Sequence, residues 1–257
     1  MPAAPARTPA RPWRRLAAVA GWSILALAAT PCSAAPDAAA PAASAEAAQP
    51  HPLARRMLAC TPCHGAQGRA SNTGYRPRIA GKPAGYLFNQ LVHFREGRRH
   101  NPSMARLVEH MSDDYLREIA AYFASLELPY PPAQTATLTP AQRQLAERLV
   151  REGDAARELP ACERCHGRRL TGIQPAVPGL VGLPRDYLLG QFGAWRNGLR
   201  RAAPPDCMAV IAQRLQPQEI EALTLWISAQ PTAGDMASAP ASALPRPWPM
   251  ACGSGAG

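Results

Sequence analysis

The chain has 257 residues, 47% hydrophobic and 18% charged, with 28 basic side chains against 18 acidic ones for a net charge of +10. Its 29 prolines and 19 glycines fall short of a wholly disordered composition, while 6% aromatics is too little for a large core built from protein alone. The length sets one or two domains, and the basic residues, arginine everywhere except Lys82, lack the interleaved aromatics of a single-strand groove, so nucleic acid is not an expected partner.

At the N-terminus, Arg7, Arg11, Arg14 and Arg15 precede an apolar run of 14 residues, Leu16 to Ala29, followed by the small residues Ser33, Ala34 and Ala35. A charged region, a short apolar region and a small-residue site together predict a signal peptide over 1–35. The run is shorter than the roughly 20 residues of a spanning helix. Retained as an anchor, it would instead hold the protein loosely at a membrane. Cys32 and the Arg14-Arg15 pair are weak pointers to lipidation and twin-arginine export. Removing these residues leaves +6 over 222 residues, the balance of a moderately basic exported protein.

Residues 36–50 are Ala- and Pro-rich and read as a flexible leader. Beyond them the sequence repeats itself. Cys60-Thr61-Pro62-Cys63-His64-Gly65 matches Cys162-Glu163-Arg164-Cys165-His166-Gly167 at an offset of 102. Pro77, Ile79, Gly81, Pro83, Tyr86, Leu87, Gln90, Phe94 and Gly97 then match Pro178, Leu180, Gly182, Pro184, Tyr187, Leu188, Gln191, Trp195 and Gly198 at an offset of 101. Met104 pairs with Met208. The duplication predicts one domain over 51–128, a linker over 129–139, a second domain over 140–230, and a disordered Pro/Ala/Gly-rich tail over 231–257.

Each half reads as helical. Pro52–Ala59 runs directly into the first cysteine motif, and Tyr86–Gly97 and Tyr187–Gly198 each form a short helix closed by glycine. Ser112-Asp113-Asp114 starts a helix whose apolar face is Leu116, Ile119, Ala120 and Phe123. Thr139-Pro140-Ala141-Gln142 combines an N-cap, a proline in the first turn and a capping-box glutamine, with Gly153 as the stop. The last helix starts at Gln216-Pro217 and ends before Pro231. No alternating β-branched run points to a sheet, so the fold class is all-α.

Cys-x-x-Cys-His is the attachment signature of c-type haem. Two thiols one helical turn apart reach the two vinyl groups of one porphyrin, and the adjacent imidazole is delivered to the iron. Cys60, Cys63, Cys162 and Cys165 are therefore the expected attachment sites of two haem c groups, with His64 and His166 as proximal ligands. A shared zinc would want the cysteine pairs about 12–20 residues apart, whereas 98 residues separate Cys63 from Cys162. For the sixth ligand the second half offers one methionine, Met208, and no histidine beyond His166. The first half offers Met104, Met111, His93, His100 and His110; alignment of the repeats selects Met104. A methionine thioether raises the reduction potential of such an iron.

The carbonyls of Pro77 and Pro178 are placed to accept the imidazole N–H of each histidine, or the prolines merely turn the chain. Arg76 and Arg78 face either haem propionates or solvent, and the aromatics of the repeat read as core. Cys207 and Cys252 remain after haem attachment. They pair as a disulfide in an oxidising compartment, or Cys207 replaces Met208 on the iron as a thiolate.

The ordered motifs resemble the dihaem cytochrome c4 family of class I c-type cytochromes. The residues that carry the resemblance are 60–65, Arg78-Ile79-Ala80-Gly81-Lys82-Pro83, Tyr86–Leu91, Phe94–Arg99, Met104, Met111-Ser112-Asp113 and Ile119–Phe123, repeated more loosely through Trp226. The resemblance spans about 53–230 and implies two tandem cytochrome c domains, each a small helical domain around one covalent haem. It also implies a periplasmic electron carrier, not an enzyme, that passes electrons between redox protein partners such as an upstream cytochrome complex and a terminal oxidase. The alternative is a haem oxidoreductase, or the cytochrome subunit of a dehydrogenase, with one unusually ligated catalytic iron. Two features depart from the family: the Gly198–Met208 interval is three residues longer than Gly97–Met104 and contains Pro204-Pro205-Asp206-Cys207, and the chain extends past residue 231.

Overall fold

The structure is a computed structural model that describes residues 52–70 and 74–254; the expected signal peptide and leader lie outside them. Helices dominate, and they recur in the order of the repeat. The first half carries α1 (Pro52–Met57), α2 (Thr61–His64), α3 (Ala84–Arg95), α4 (Pro102–Val108) and α5 (Asp113–Ala124). The second carries α6 (Pro140–Arg151), α7 (Cys162–His166), α8 (Arg185–Arg196), α9 (Cys207–Arg214) and α10 (Pro217–Ser228). In the first half α3 packs on α4 and α5; in the second, α8 packs on α9 and α10, and α10 also on α6.

Local sequence explains these boundaries. Ser112 caps α5 by accepting from the Tyr115 N–H at 3.2 Å, and Asp113 and Asp114 sit in its first turn, where the helix dipole favours negative charge. Thr139 Oγ1 accepts from the Gln142 N–H at 3.2 Å, and the Thr139 N–H donates to Gln142 Oε1 at 3.0 Å, completing the expected capping box of α6. α10 is buried almost all round, through Ile220, Ala222, Leu223, Trp226 and Ile227. At its N-terminus the nearly buried Glu219 pairs with Arg157 at 2.6 Å.

Each half encloses its own apolar cluster. Met57, Leu87, Phe94, Val108, Leu116 and Phe123 form the first, and Leu149, Leu159, Tyr187, Leu188, Leu223 and Trp226 belong to the second. The all-α expectation holds, with one addition in the second half. There, β1 (Gly153–Asp154) pairs antiparallel with β2 (Leu159–Pro160), and β3 (Gly172–Ile173) with β4 (Val177–Pro178). Strands of two residues leave no alternating pattern to read; tight turns make them.

The tail departs from expectation. It is held in place through residue 254, not disordered, because polar backbone groups and a covalent bond fix a segment whose composition offers little apolar area. The Ala239 N–H donates to the Gly172 carbonyl and the Gln174 N–H to the Ala239 carbonyl, both at 2.8 Å. Cys252 is disulfide-bonded to Cys207. Among the described residues no helix is long and apolar enough to cross a membrane.

Candidate haem sites

Both Cys-x-x-Cys-His motifs form one short helical turn, α2 and α7, that ends on a glycine with positive φ, Gly65 at 74° and Gly167 at 82°. At Gly65 a side chain is excluded twice, since a Cβ would lie 2.1 Å from the Ala70 carbonyl oxygen. That turn folds the following loop back, and the Ala70 N–H donates to the His64 carbonyl at 2.8 Å.

The two histidines are held alike. His64 Nδ1 lies 3.0 Å from the Pro77 carbonyl and His166 Nδ1 2.8 Å from that of Pro178, so in the tautomer with hydrogen on Nδ1 each ring donates there and keeps Nε2 for a metal. Burial is the main force lowering the pKa of both rings; the carbonyl bonds oppose it, and Arg76 and Arg99 near His64 and Lys82 near His166 add to it. Both are thus neutral imidazoles, the form that ligates. Burial also pushes the Cys162 thiol up to about 12 and Cys165 to about 11, so these sulfurs carry no charge into the apolar site.

In the second half an apolar cavity, open at its mouth, is lined by Cys162, Cys165, His166, Met208, Phe192 and Ile211 among others. The expected attachment, proximal and distal residues are thereby brought to one apolar space. In the first half Cys60, Met104 and Met111 pack against one cluster. Met104 lies in the first turn of α4, its N–H donating to the Asn101 side chain at 3.0 Å. Of the other first-half candidates, His93 is buried but lines the second cavity, and burial together with Arg98 and Arg200 lowers its pKa to about 4. His110 is 89% exposed.

The polar groups between the halves went unnoticed in the sequence. Arg99 donates to Gln90 at 2.9 Å, to the Tyr187 hydroxyl at 3.0 Å and to Gln191 at 2.9 Å. Arg200, its equivalent at an offset of 101, donates to Gln191 at 2.7 Å, to Gln90 at 3.1 Å and to the Tyr86 hydroxyl at 3.5 Å. Arg99 lies over the Phe94 ring at 4.6 Å and Arg200 over Trp195 at 3.9 Å. The backbones join there too, the His100 N–H donating to Leu199 and the Arg201 N–H to Arg98, both at 2.7 Å. The repeat itself held the signal, because tyrosine, glutamine and arginine recur together at one offset. Arg78 behaves otherwise than expected. It does not face solvent: it is buried, donates to the Leu128 and Pro129 carbonyls and lies over Tyr130 at 4.0 Å.

The donor chemistry fits a haem. Among the described residues neither Arg99 nor Arg200 has a carboxylate partner. Trp195 Nε1 is buried without an acceptor, and both Trp195 and Arg200 line the second cavity. Apolar walls, two thiols one turn apart, an oriented imidazole, an indole N–H without an acceptor and two guanidiniums without a carboxylate suit a flat apolar plate with carboxylates at one edge.

Two such sites in a helical repeat define a tandem c-type cytochrome that carries covalently bound haem c and transfers electrons. More narrowly, the chain belongs to the dihaem cytochrome c4 family: it is 33% identical over 174 residues to cytochrome c4 of Pseudomonas aeruginosa, covering 67% of this chain and 84% of the relative. It is also 35% identical over 173 residues to a "thiosulfate dehydrogenase electron acceptor" of Thiomonas intermedia, covering 67% of this chain and 79% of that one. Among solved structures, thiosulfate dehydrogenase TsdBA of Marichromatium purpuratum matches 68% of this chain with a TM-score of 0.57 and 33% identity, although the chain spans only 37% of that protein. No family model matches.

Proposed function

We propose that the chain is a dihaem carrier that accepts electrons from a thiosulfate-oxidising dehydrogenase in the periplasm and hands them on towards a terminal oxidase. Cys60 and Cys63 hold the first haem and Cys162 and Cys165 the second. His64 and Met104 ligate one iron, His166 and Met208 the other. With a histidine and a methionine committed to each iron, haem would supply a change of valence and leave no position for a substrate. The chain's own residues orient the imidazoles, exclude water and place basic groups between the two sites.

The likeness to proteins named for thiosulfate dehydrogenase carries the choice of donor. The rival reading, a catalytic second iron with Cys207 thiolate, loses its one supporting feature, because that sulfur is bonded to Cys252. A subunit role within a dehydrogenase complex is favoured by the TsdBA match and differs only in how durable the contact is. Stopped-flow mixing of the oxidised holoprotein with a thiosulfate dehydrogenase and thiosulfate is expected to reduce both haems, while thiosulfate alone reduces neither. Reduction by thiosulfate alone would make the chain an enzyme; no reduction in either mixture would exclude this donor.

A further inference from the structure

The two departures from the family, a longer loop before Met208 and an extension after residue 231, are one structural feature. They lie 45 residues apart and are joined covalently, Cys207 to Cys252. The last described segment reaches the second cavity, where Trp248, Met250, Cys252 and Ser254 line the same space as His166 and Met208. Three hydrogen bonds seat it. The Gly253 N–H donates to the Pro205 carbonyl at 2.9 Å, the Ala203 N–H to Ser254 Oγ at 3.2 Å, and Asn89 Nδ2, on α3 of the other half, to the Ser254 carbonyl at 3.4 Å. The fit at Gly253 leaves no room for a side chain, since a Cβ would lie 2.3 Å from the Pro204 carbonyl oxygen.

We propose that Trp248–Ser254, clamped by the Cys207–Cys252 disulfide, is the outer wall of the second haem site, keeping water and small ligands from that iron and raising its reduction potential. Two physical effects follow from the placement. Excluding water from an iron whose oxidised state bears the extra positive charge favours the reduced state. The disulfide also fastens the residue directly before Met208 at the start of α9, so the thioether has little freedom to swing off the iron. The anchors on 203–207 belong to the longer loop of the second half, so the wall acts on one haem and leaves the other as an internal reference. The inference rests on the reading of Met208 as an iron ligand.

The test uses the holoprotein with both haems attached. Cys207→Ser/Cys252→Ser opens the clamp, and Trp248→Ala/Met250→Ala thins the wall with the disulfide intact. Peptide mass mapping without reduction checks the disulfide and both thioether attachments, spectroelectrochemical titration separates the two midpoints, and imidazole probes access to the oxidised irons. In both variants the second midpoint is expected to fall while the first stays in place. Imidazole should displace the methionine from one haem only, at a concentration about tenfold lower than in the parent, equivalent to about 1.4 kcal/mol. Midpoints and imidazole affinities equal to the parent's, or equal shifts at both haems, would overturn the proposal. If the serine variant fails to mature, the Trp248/Met250 variant decides alone. Met208→Ala in the parent separates the premise: an undiminished methionine–iron charge-transfer band would sink the ligand reading whatever the wall variants show.

Discussion

The two halves are built from one plan and finished differently. Both end a Cys-x-x-Cys-His turn on a positive-φ glycine, both hold the histidine on a proline carbonyl, and both send a tyrosine, a glutamine and an arginine to the shared seam. The first half stops there: four residues separate Gly97 from the start of α4, and Asn101 caps that helix through Met104. The second half inserts residues before its methionine, adds two short ribbons and brings the chain's end across its cavity. Groups that orient iron or join the halves are duplicated; groups that enclose the site are not. A duplicated carrier can thus hold two chemically similar irons while enclosure alone makes them unequal.

The largest test of that equivalence is the sixth ligand. Met104→Ala and Met208→Ala are each expected to abolish half of the methionine–iron charge-transfer band, and together all of it, read in the visible spectrum of the oxidised holoprotein. A band halved by Met111→Ala and untouched by Met104→Ala would show that the halves differ in their ligand as well as in enclosure.

The seam is the next. Arg99→Met and Arg200→Met each strip donors from part-buried glutamine oxygens and a tyrosine hydroxyl, a loss of about 1–3 kcal/mol. Because the two arginines share Gln90 and Gln191, the double variant is expected to cost less than the sum of the singles. Denaturant unfolding monitored at both haems checks this, and strict additivity would mean that the two guanidiniums do not act as one unit.

Lys82 supplies an asymmetric effect. Burial, with Arg78 adding to it, lowers its pKa from 10.5 to about 7, and Nζ donates to the Gly179 carbonyl of the other half at 3.0 Å. Tyr130, its ring 5.8 Å away, and His166 are the other titratable groups near it. Between about 7 and 10.5 the unfolded chain holds a proton that the folded chain has released, so stability rises with pH across that window and is flat in this group below it. Unfolding midpoints measured from pH 6 to pH 10 should show that rise in the parent and lose it in Lys82→Met. A rise undiminished in the variant would assign it elsewhere.

What could be read beforehand follows from the range of each interaction. The haem motifs, the Pro77 and Pro178 carbonyls and the caps at Ser112 and Thr139 lie within 13 residues of the groups they serve, and short range leaves a spacing to read. The seam does not. Arg99 meets Gln191 across 92 residues, and only the repeat offset pointed there. The tail misled because composition reports apolar area and says nothing of a disulfide or of backbone bonds. Arg78 misled for a related reason: an arginine without a nearby acid reads as surface, yet three carbonyls and the Tyr130 ring accommodate its guanidinium in the interior.

The smallest effect belongs to the helix caps, and it measures how far the halves are thermodynamically joined. Thr139→Ala removes the acceptor for the Gln142 N–H at the start of α6, and Ser112→Ala does the same for Tyr115 at the start of α5; each is worth about 1 kcal/mol. Neither residue lines the second haem cavity, so both variants should keep the parent's spectra and midpoints. If the seam makes the halves one cooperative unit, either substitution lowers the unfolding transition seen at both haems by the same amount. If each half unfolds by itself, Thr139→Ala moves only the transition reported by the second haem and Ser112→Ala only that of the first. The arginines shared between the halves favour the first outcome, since opening either half strands hydrogen-bond partners in the other.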